Sequence, residues 1–335
     1  MGTRRIGTRD AGSIGLGCMN LSHAYGTPPP REQAEALLLH ALDSGVRHFD
    51  TAALYGATAN ETLVGEVLGA RRDEYFLASK CGMTSVDGKR VIDGRPHTLK
   101  ATCEDALRRL RTDHIDLYYL HRWDKTIPVE ESVGALAELV AEGKIGGIGL
   151  SEVSADTLRR AHTVHPIAAL QTEYSLWTRN PELGTLDACR ELGTAFVAFS
   201  PLGRGFLTGA VRDVASLPDG DIRRGMPRFS AQNYPLNLRL LDEFIRLAAE
   251  AGCTPAQLAL AWVLHRGEDI IALPGTTSIA HLDEDLAAAA VVLDAALMNR
   301  LDELINEKTV HGPRYNAALQ GDVDTETFSE PERSE

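Results

Sequence analysis

The segment Arg47-His48-Phe49-Asp50-Thr51-Ala52-Ala53-Leu54-Tyr55-Gly56 decides how this chain is read. A short strand-like stretch, Arg47–Asp50, ends on an acid, and a tyrosine follows in a turn closed by glycine. Upstream, Glu32–Leu42 places Ala34, Leu37, Leu38 and Ala41 on one face, which predicts an amphipathic helix. Downstream, Tyr75–Lys80 is again short and apolar and closes on a lysine. Carried in both directions, the alternation predicts further strands at Ser13–Cys18, Ile115–His121, Ile145–Ser151, Ala168–Thr172, Ala195–Ser200 and Ile270–Pro274. Val129–Ala141 reads as a helix stopped by Gly143, and Thr98 as a cap before a helix over Thr102–Leu110. Eight strand–helix repeats predict an α/β chain closed as a (β/α)8 TIM barrel. The expected division is one barrel domain over residues 1–322 and a polar, flexible tail over 323–335. Val86–Pro96 and Leu207–Pro235 break the rhythm and are expected to be long substrate loops at the C-terminal face.

Composition narrows the function. The chain has 335 residues and a formal net charge of −13, which disfavours broad binding to nucleic acid or anionic membranes. The longest apolar run, Leu286–Leu293, is far short of the ~20 residues of a membrane span. No signal-like apolar segment follows Arg4 and Arg5, and the scattered Cys18, Cys81, Cys103, Cys189 and Cys253 read as reduced thiols; a cytoplasmic protein is expected. His162 and His165 lack further ligand spacing, so no metal site is predicted. A dinucleotide-binding doubly wound fold is disfavoured because neither Gly15-Leu-Gly17 nor Gly203-Arg-Gly205 completes G-x-G-x-x-G.

On the barrel reading, Asp50, Lys80 and His121 end consecutive strands, and Tyr55 lies just beyond Asp50. Each alone has an ordinary structural explanation; their shared placement at one barrel face points to a site. A phenol of ordinary pKa near ~10 donates a proton poorly at neutral pH. An ammonium beside it favours phenolate, a carboxylate keeps that ammonium charged, and an imidazole can orient a carbonyl. Together these groups suit reduction of a carbonyl by hydride.

The motif Phe49–Gly56 followed by Lys80 and His121 resembles the catalytic tetrad of the aldo-keto reductase superfamily, over about Arg4 to Asn306. The resemblance implies that Tyr55 is the general acid, Lys80 tunes it, Asp50 anchors Lys80, and His121 orients the carbonyl. It also implies a nicotinamide site at Ser151, Glu152 and Gln171, with the Phe199 ring stacked on the nicotinamide. Glu152 stands where asparagine is commoner. Ser200-Pro201-Leu202-Gly203-Arg204-Gly205 resembles the pyrophosphate loop, in which glycines admit backbone N–H groups to phosphate. Gly275, Thr276, Thr277, Ser278, His281, Glu284 and Asp285 resemble the adenosine end, and Gly17, Cys18, Met19 and Asp50 complete the cofactor set. The implied cofactor is NADPH, with NADH as a second one, since Ser278 and His281 carry fewer fixed charges than is usual there. The partner is a small carbonyl compound, lined by Tyr25, Leu54, Trp123 and Trp177; the chain is a monomer or homo-oligomer. Arg223, Arg224 and Arg228 would either draw an acidic substrate or be solvated. Two other classes remain open, a nicotinamide-binding regulatory subunit and a lyase using Lys80 as a Schiff base.

Overall fold

Eight parallel strands hydrogen-bonded in one sheet carry the fold in a computed structural model that describes residues 2–22 and 24–328. An antiparallel hairpin, β1 (Arg5–Ile6) and β2 (Arg9–Asp10), precedes the first barrel strand, β3 (Leu16–Gly17). There follow α1 (Arg31–Asp43), β4 (His48–Asp50), α2 (Ala59–Leu68) and β5 (Phe76–Cys81). A second hairpin, β6 (Met83–Val86) with β7 (Lys89–Ile92), leads into α3 (Pro96–Leu110) and β8 (Leu117–Leu120). Next come α4 (Val129–Ala141), β9 (Ile148–Ser151), α5 (Ala155–Val164), β10 (Ile167–Glu173), α6 (Thr185–Leu192) and β11 (Ala195–Phe199). The chain ends through α7 (Tyr234–Glu250), α8 (Pro255–His265), β12 (Ile270–Leu273), α9 (Ile279–Ala287), α10 (Ala295–Leu304) and α11 (Ala317–Gly321).

The sheet runs β12-β11-β10-β9-β8-β5-β4-β3, and a parallel bridge between Ile14 and Ala272 joins its ends. The (β/α)8 expectation is met. Phe76, Ala78, Leu117, Tyr119, Ala169, Val197 and Ile271 fill the lumen, and Ile6 and Ala11 from the β1–β2 end pack with them. The larger core lies between strands and helices. The period of two along a strand decides which residues reach the lumen. On β5, Phe76 and Ala78 face inward and so does Lys80, while Ser79 faces outward and donates to Glu61 of α2 at 2.5 Å.

Several local expectations change. The helix expected from Thr102 begins at Pro96, and Thr98 lies inside it, donating to Asp93 at 3.0 Å. Val86–Pro96 is not open loop: its first part completes the β6–β7 hairpin. Residues 323–328, read from composition as frayed, are tied to the barrel. Asp324 accepts from the Ser154 hydroxyl at 2.9 Å, and Glu326 accepts from Ala155 N at 2.8 Å and the Thr185 hydroxyl at 2.6 Å. The remaining tail, 329–335, lies outside the described residues.

Candidate active site

Tyr55 reaches the barrel mouth because the chain reverses sharply after it. Gly56, Ala57 and Thr58 all take left-handed backbone angles, φ 57°, 49° and 80°. A Cβ on Gly56 would stand 2.7 Å from the Ser22 Cβ, so only glycine fits beside that loop. Asn60, which the sequence did not single out, pins the turn: it donates to Cys18 O at 2.8 Å and Ser22 Oγ at 2.9 Å and accepts from Thr51 at 2.7 Å.

Asp50, Tyr55, Lys80 and His121 meet at the C-terminal end of the barrel, all buried. Lys80 Nζ is ion-paired with Asp50 Oδ1 and donates to Thr51 O at 2.9 Å and the Tyr55 hydroxyl at 3.3 Å. Gln171 Nε2 donates to the other Asp50 oxygen at 2.8 Å. The Tyr55 and His121 rings meet edge to face, with centroids 5.8 Å apart. Burial pulls Lys80 toward neutrality, but Asp50 and Tyr55 outweigh it and hold the ammonium above its ordinary pKa. Burial dominates at Tyr55 and raises its pKa, with Lys80 pulling only part of the way back. The lowered resting value expected from the neighbouring ammonium is therefore not found. The protein without ligand keeps a neutral phenol, the form that can give up a proton.

A cleft of about 560 Å³ runs from these residues across the barrel mouth. Gly17, Met19, Asp50, Ser151, Gln171 and Phe199 line it, as do Ser200, Pro201, Leu202, Arg204 and Gly205. Its other end is formed by Gly275, Thr276, Thr277, His281, Glu284 and Asp285. Leu54, next to Tyr55 in the chain, and Tyr25, whose hydroxyl accepts from Arg204 at 3.2 Å, line it too. Ser200, Gly203, Arg204 and Gly205 have positive φ, which turns the loop tightly and suits a backbone N–H cradle for an anion. Burial, reinforced by Glu284, pushes the Asp285 carboxyl up to about 8.

Seven expected residues have partners within the fold. Glu152, at φ 57°, turns its carboxylate away from the cleft to Arg314, with Nη1 at 3.0 Å from Oε1, and accepts from Glu173 N at 2.9 Å. The Cys18 thiol points to Leu16 O. Gly203 packs under Trp177, which itself stacks on Phe206 with centroids 4.0 Å apart, in a buried aromatic cluster. Trp123 donates to Ile127 O at 2.8 Å beneath Arg160. Ser278 caps α9, accepting from His281 N. Arg204 lines the cleft, yet its charge is neutralised by Glu173 at 2.5 Å.

The loop arginines are likewise engaged within the fold: Arg223 with Asp221 at 2.7 Å, Arg224 with Leu217 and Pro218 carbonyls, and Arg228 with Trp177 O. Other lining residues come from distant segments without a local sequence signal: Met83 and Arg90 of the β6–β7 hairpin, Arg122 beside His121, Met226, Tyr315 and Leu319. Arg90 pairs with Asp322, joining that hairpin to the C-terminal segment. Among the described residues no group of three acidic, His or Cys side chains is arranged to hold a metal ion.

Comparison with known proteins agrees with this fold. The chain is similar to a glycerol dehydrogenase from Gluconobacter oxydans, at 28% identity and a TM-score of 0.85, over 93% of this chain and 97% of that one. It is similar to an aldo-keto reductase from Bacillus halodurans in its holo form (28% identity, TM-score 0.75, covering 93% and 98%). It also resembles an aldo/keto reductase from Klebsiella pneumoniae in complex with NADP and acetate (29% identity, TM-score 0.71, covering 94% and 98%). Residues 13–306 match the Aldo/keto reductase family, and this chain, a (β/α)8 oxidoreductase with its charged cluster at the barrel mouth, belongs to that family.

Proposed function

We propose that the protein reduces the carbonyl group of a small aldehyde or ketone to an alcohol, with Tyr55 as proton donor. The observation that carries this reading is the 3.3 Å contact between the Tyr55 hydroxyl and Lys80 Nζ, with Lys80 clamped by Asp50 at the cleft floor. A bound reduced nicotinamide supplies the hydride. Tyr55 gives its proton to the carbonyl oxygen as the hydride reaches carbon, and the nearby ammonium stabilises the phenolate left behind. Solvent then returns the proton to Tyr55. The His121 ring, edge-on to Tyr55, orients the carbonyl oxygen. Because Asp50 holds Lys80 cationic, its amine is unsuited to Schiff-base attack, which needs the neutral form.

Ser151 and Gln171 would hold the nicotinamide amide, Phe199 would stack on its ring, and Ser200–Gly205 would hold the pyrophosphate. The NADP-bound relative supports NADPH as cofactor. The segment Gly275–Asp285 contains no lysine or arginine to meet a 2′-phosphate, which supports use of NADH as well. Similarity to a glycerol dehydrogenase supports reversal toward alcohol oxidation. Tyr55→Phe should cost about 10²–10⁴-fold in carbonyl turnover while leaving NADPH affinity, read by fluorescence quenching, intact. Undiminished turnover in that variant rejects the proton-donor role.

A further inference from the structure

Four arginines among the described residues line the cleft: Arg90, Arg122, Arg204 and Arg223. Three have a carboxylate partner, in Asp322, Glu173 and Asp221 respectively. Among the described residues Arg122 has none. Its Nη1 donates to His121 O at 2.6 Å and to Ser151 Oγ at 3.2 Å, which fixes the guanidinium between the His121 and Ser151 strand ends. No described protein atom accepts from its Nε or Nη2, neither atom is sealed from solvent, and Arg122 is one of the residues that line the cleft. The cleft also has apolar lining, in Leu54, Met83, Met226 and Leu319.

An arginine held in place but left without a counter-charge is matched to an anion, carboxylate or phosphate, that accepts two parallel hydrogen bonds. The formal charge of −13 makes that local cation the more telling, because the molecule as a whole repels anions. We propose that Arg122 recognises an anionic group on the substrate, so that the preferred carbonyl compound carries a carboxylate or phosphate joined to its carbonyl by a short apolar stretch. This rests on the carbonyl-reduction reading: the carbonyl sits at Tyr55 and His121, and the anion on Arg122. Arg122 then acts as a specificity-determining residue and takes no part in proton or hydride transfer.

The test compares 4-oxobutanoate, glyceraldehyde 3-phosphate and uncharged butanal as substrates of the wild-type protein, Arg122→Gln and Arg122→Lys. One anionic aldehyde should exceed butanal in kcat/KM by about ten- to a hundredfold, the worth of a hydrogen bond to a charged group. Which of the two leads separates carboxylate from phosphate. In Arg122→Gln the ratio should fall toward one, through KM and not kcat, and Arg122→Lys should restore part of it. A purely structural Arg122, acting through Ser151 or His121, would slow charged and uncharged aldehydes alike and leave the ratio in place. A wild-type ratio near one, or a ratio that survives Arg122→Gln, overturns the proposal. Calorimetric titration with succinate and with inorganic phosphate needs no turnover. Arg122-dependent binding without reduction of any aldehyde or ketone would defeat the carbonyl-reduction reading and uphold the anion site; no binding of either by the wild-type protein would defeat the anion site.

Discussion

Lys80 Nζ lies 3.3 Å from the Tyr55 hydroxyl while ion-paired to Asp50, so one buried ammonium serves a phenol and a carboxylate at once. Asp50 is therefore the group that keeps Lys80 charged where burial opposes charge. Removing one partner of a buried pair typically costs about 3–5 kcal/mol. Asp50→Asn should lower stability by that order in denaturant melts. It should also move the alkaline limb of the pH–rate profile downward, since Lys80 without its counter-ion loses its proton at lower pH. An alkaline limb that stays in place would separate Lys80 from Asp50 energetically.

Thr277 and Ser278 are neighbours with opposite fates, because Thr277 lines the cleft while the Ser278 hydroxyl is spent on capping α9. Thr277→Arg should raise the preference for NADPH over NADH, measured as a ratio of dissociation constants, by about tenfold or more through a charge-assisted bond to the 2′-phosphate. Ser278→Arg should instead cost about 1 kcal/mol of stability by loss of the cap. If only Ser278→Arg changes the ratio, the geometry of this end has been misassigned.

Asp285 is buried at the same end, with its carboxyl pushed up to about 8 by desolvation and the charge of Glu284. The folded protein therefore holds a proton that the unfolded chain releases near the ordinary carboxylate value. Stability from this group is full below that value, falls as pH rises from about 4, and is lost by about 8. Asp285→Asn should flatten the fall, raising the melting temperature of the ligand-free protein at pH 8 but not at pH 4, by an effect on the order of a few kcal/mol. An equal gain at both pH values would trace the penalty to something other than ionisation.

Much of the site was readable because its chemistry lies at strand ends. Asp50, Lys80 and His121 each close an apolar run, and a charged residue in that place is unusual enough to notice before any fold is known. Gln171 stood out only through family resemblance, and its bond to Asp50 needed the register of β10 across the lumen. Trp123 and Trp177 misled for a physical reason: a large aromatic near a site residue in sequence is as readily core as cleft, and both are consumed by packing. Glu152 misled because its partner, Arg314, comes from the other end of the chain.

Periodicity and strand-end chemistry, properties of contiguous residues, were enough by themselves to determine the barrel, its strand positions and the cluster of Asp50, Tyr55, Lys80 and His121. Tertiary structure alone decided which charges are spent and which are left over. Glu173 neutralises Arg204, Arg314 takes Glu152, Asp322 takes Arg90, and Arg122, at the cleft lining, has no carboxylate partner among the described residues. Pairings of that kind depend on closure of the barrel and the return of the C-terminal segment across its mouth, which no local window of sequence encodes.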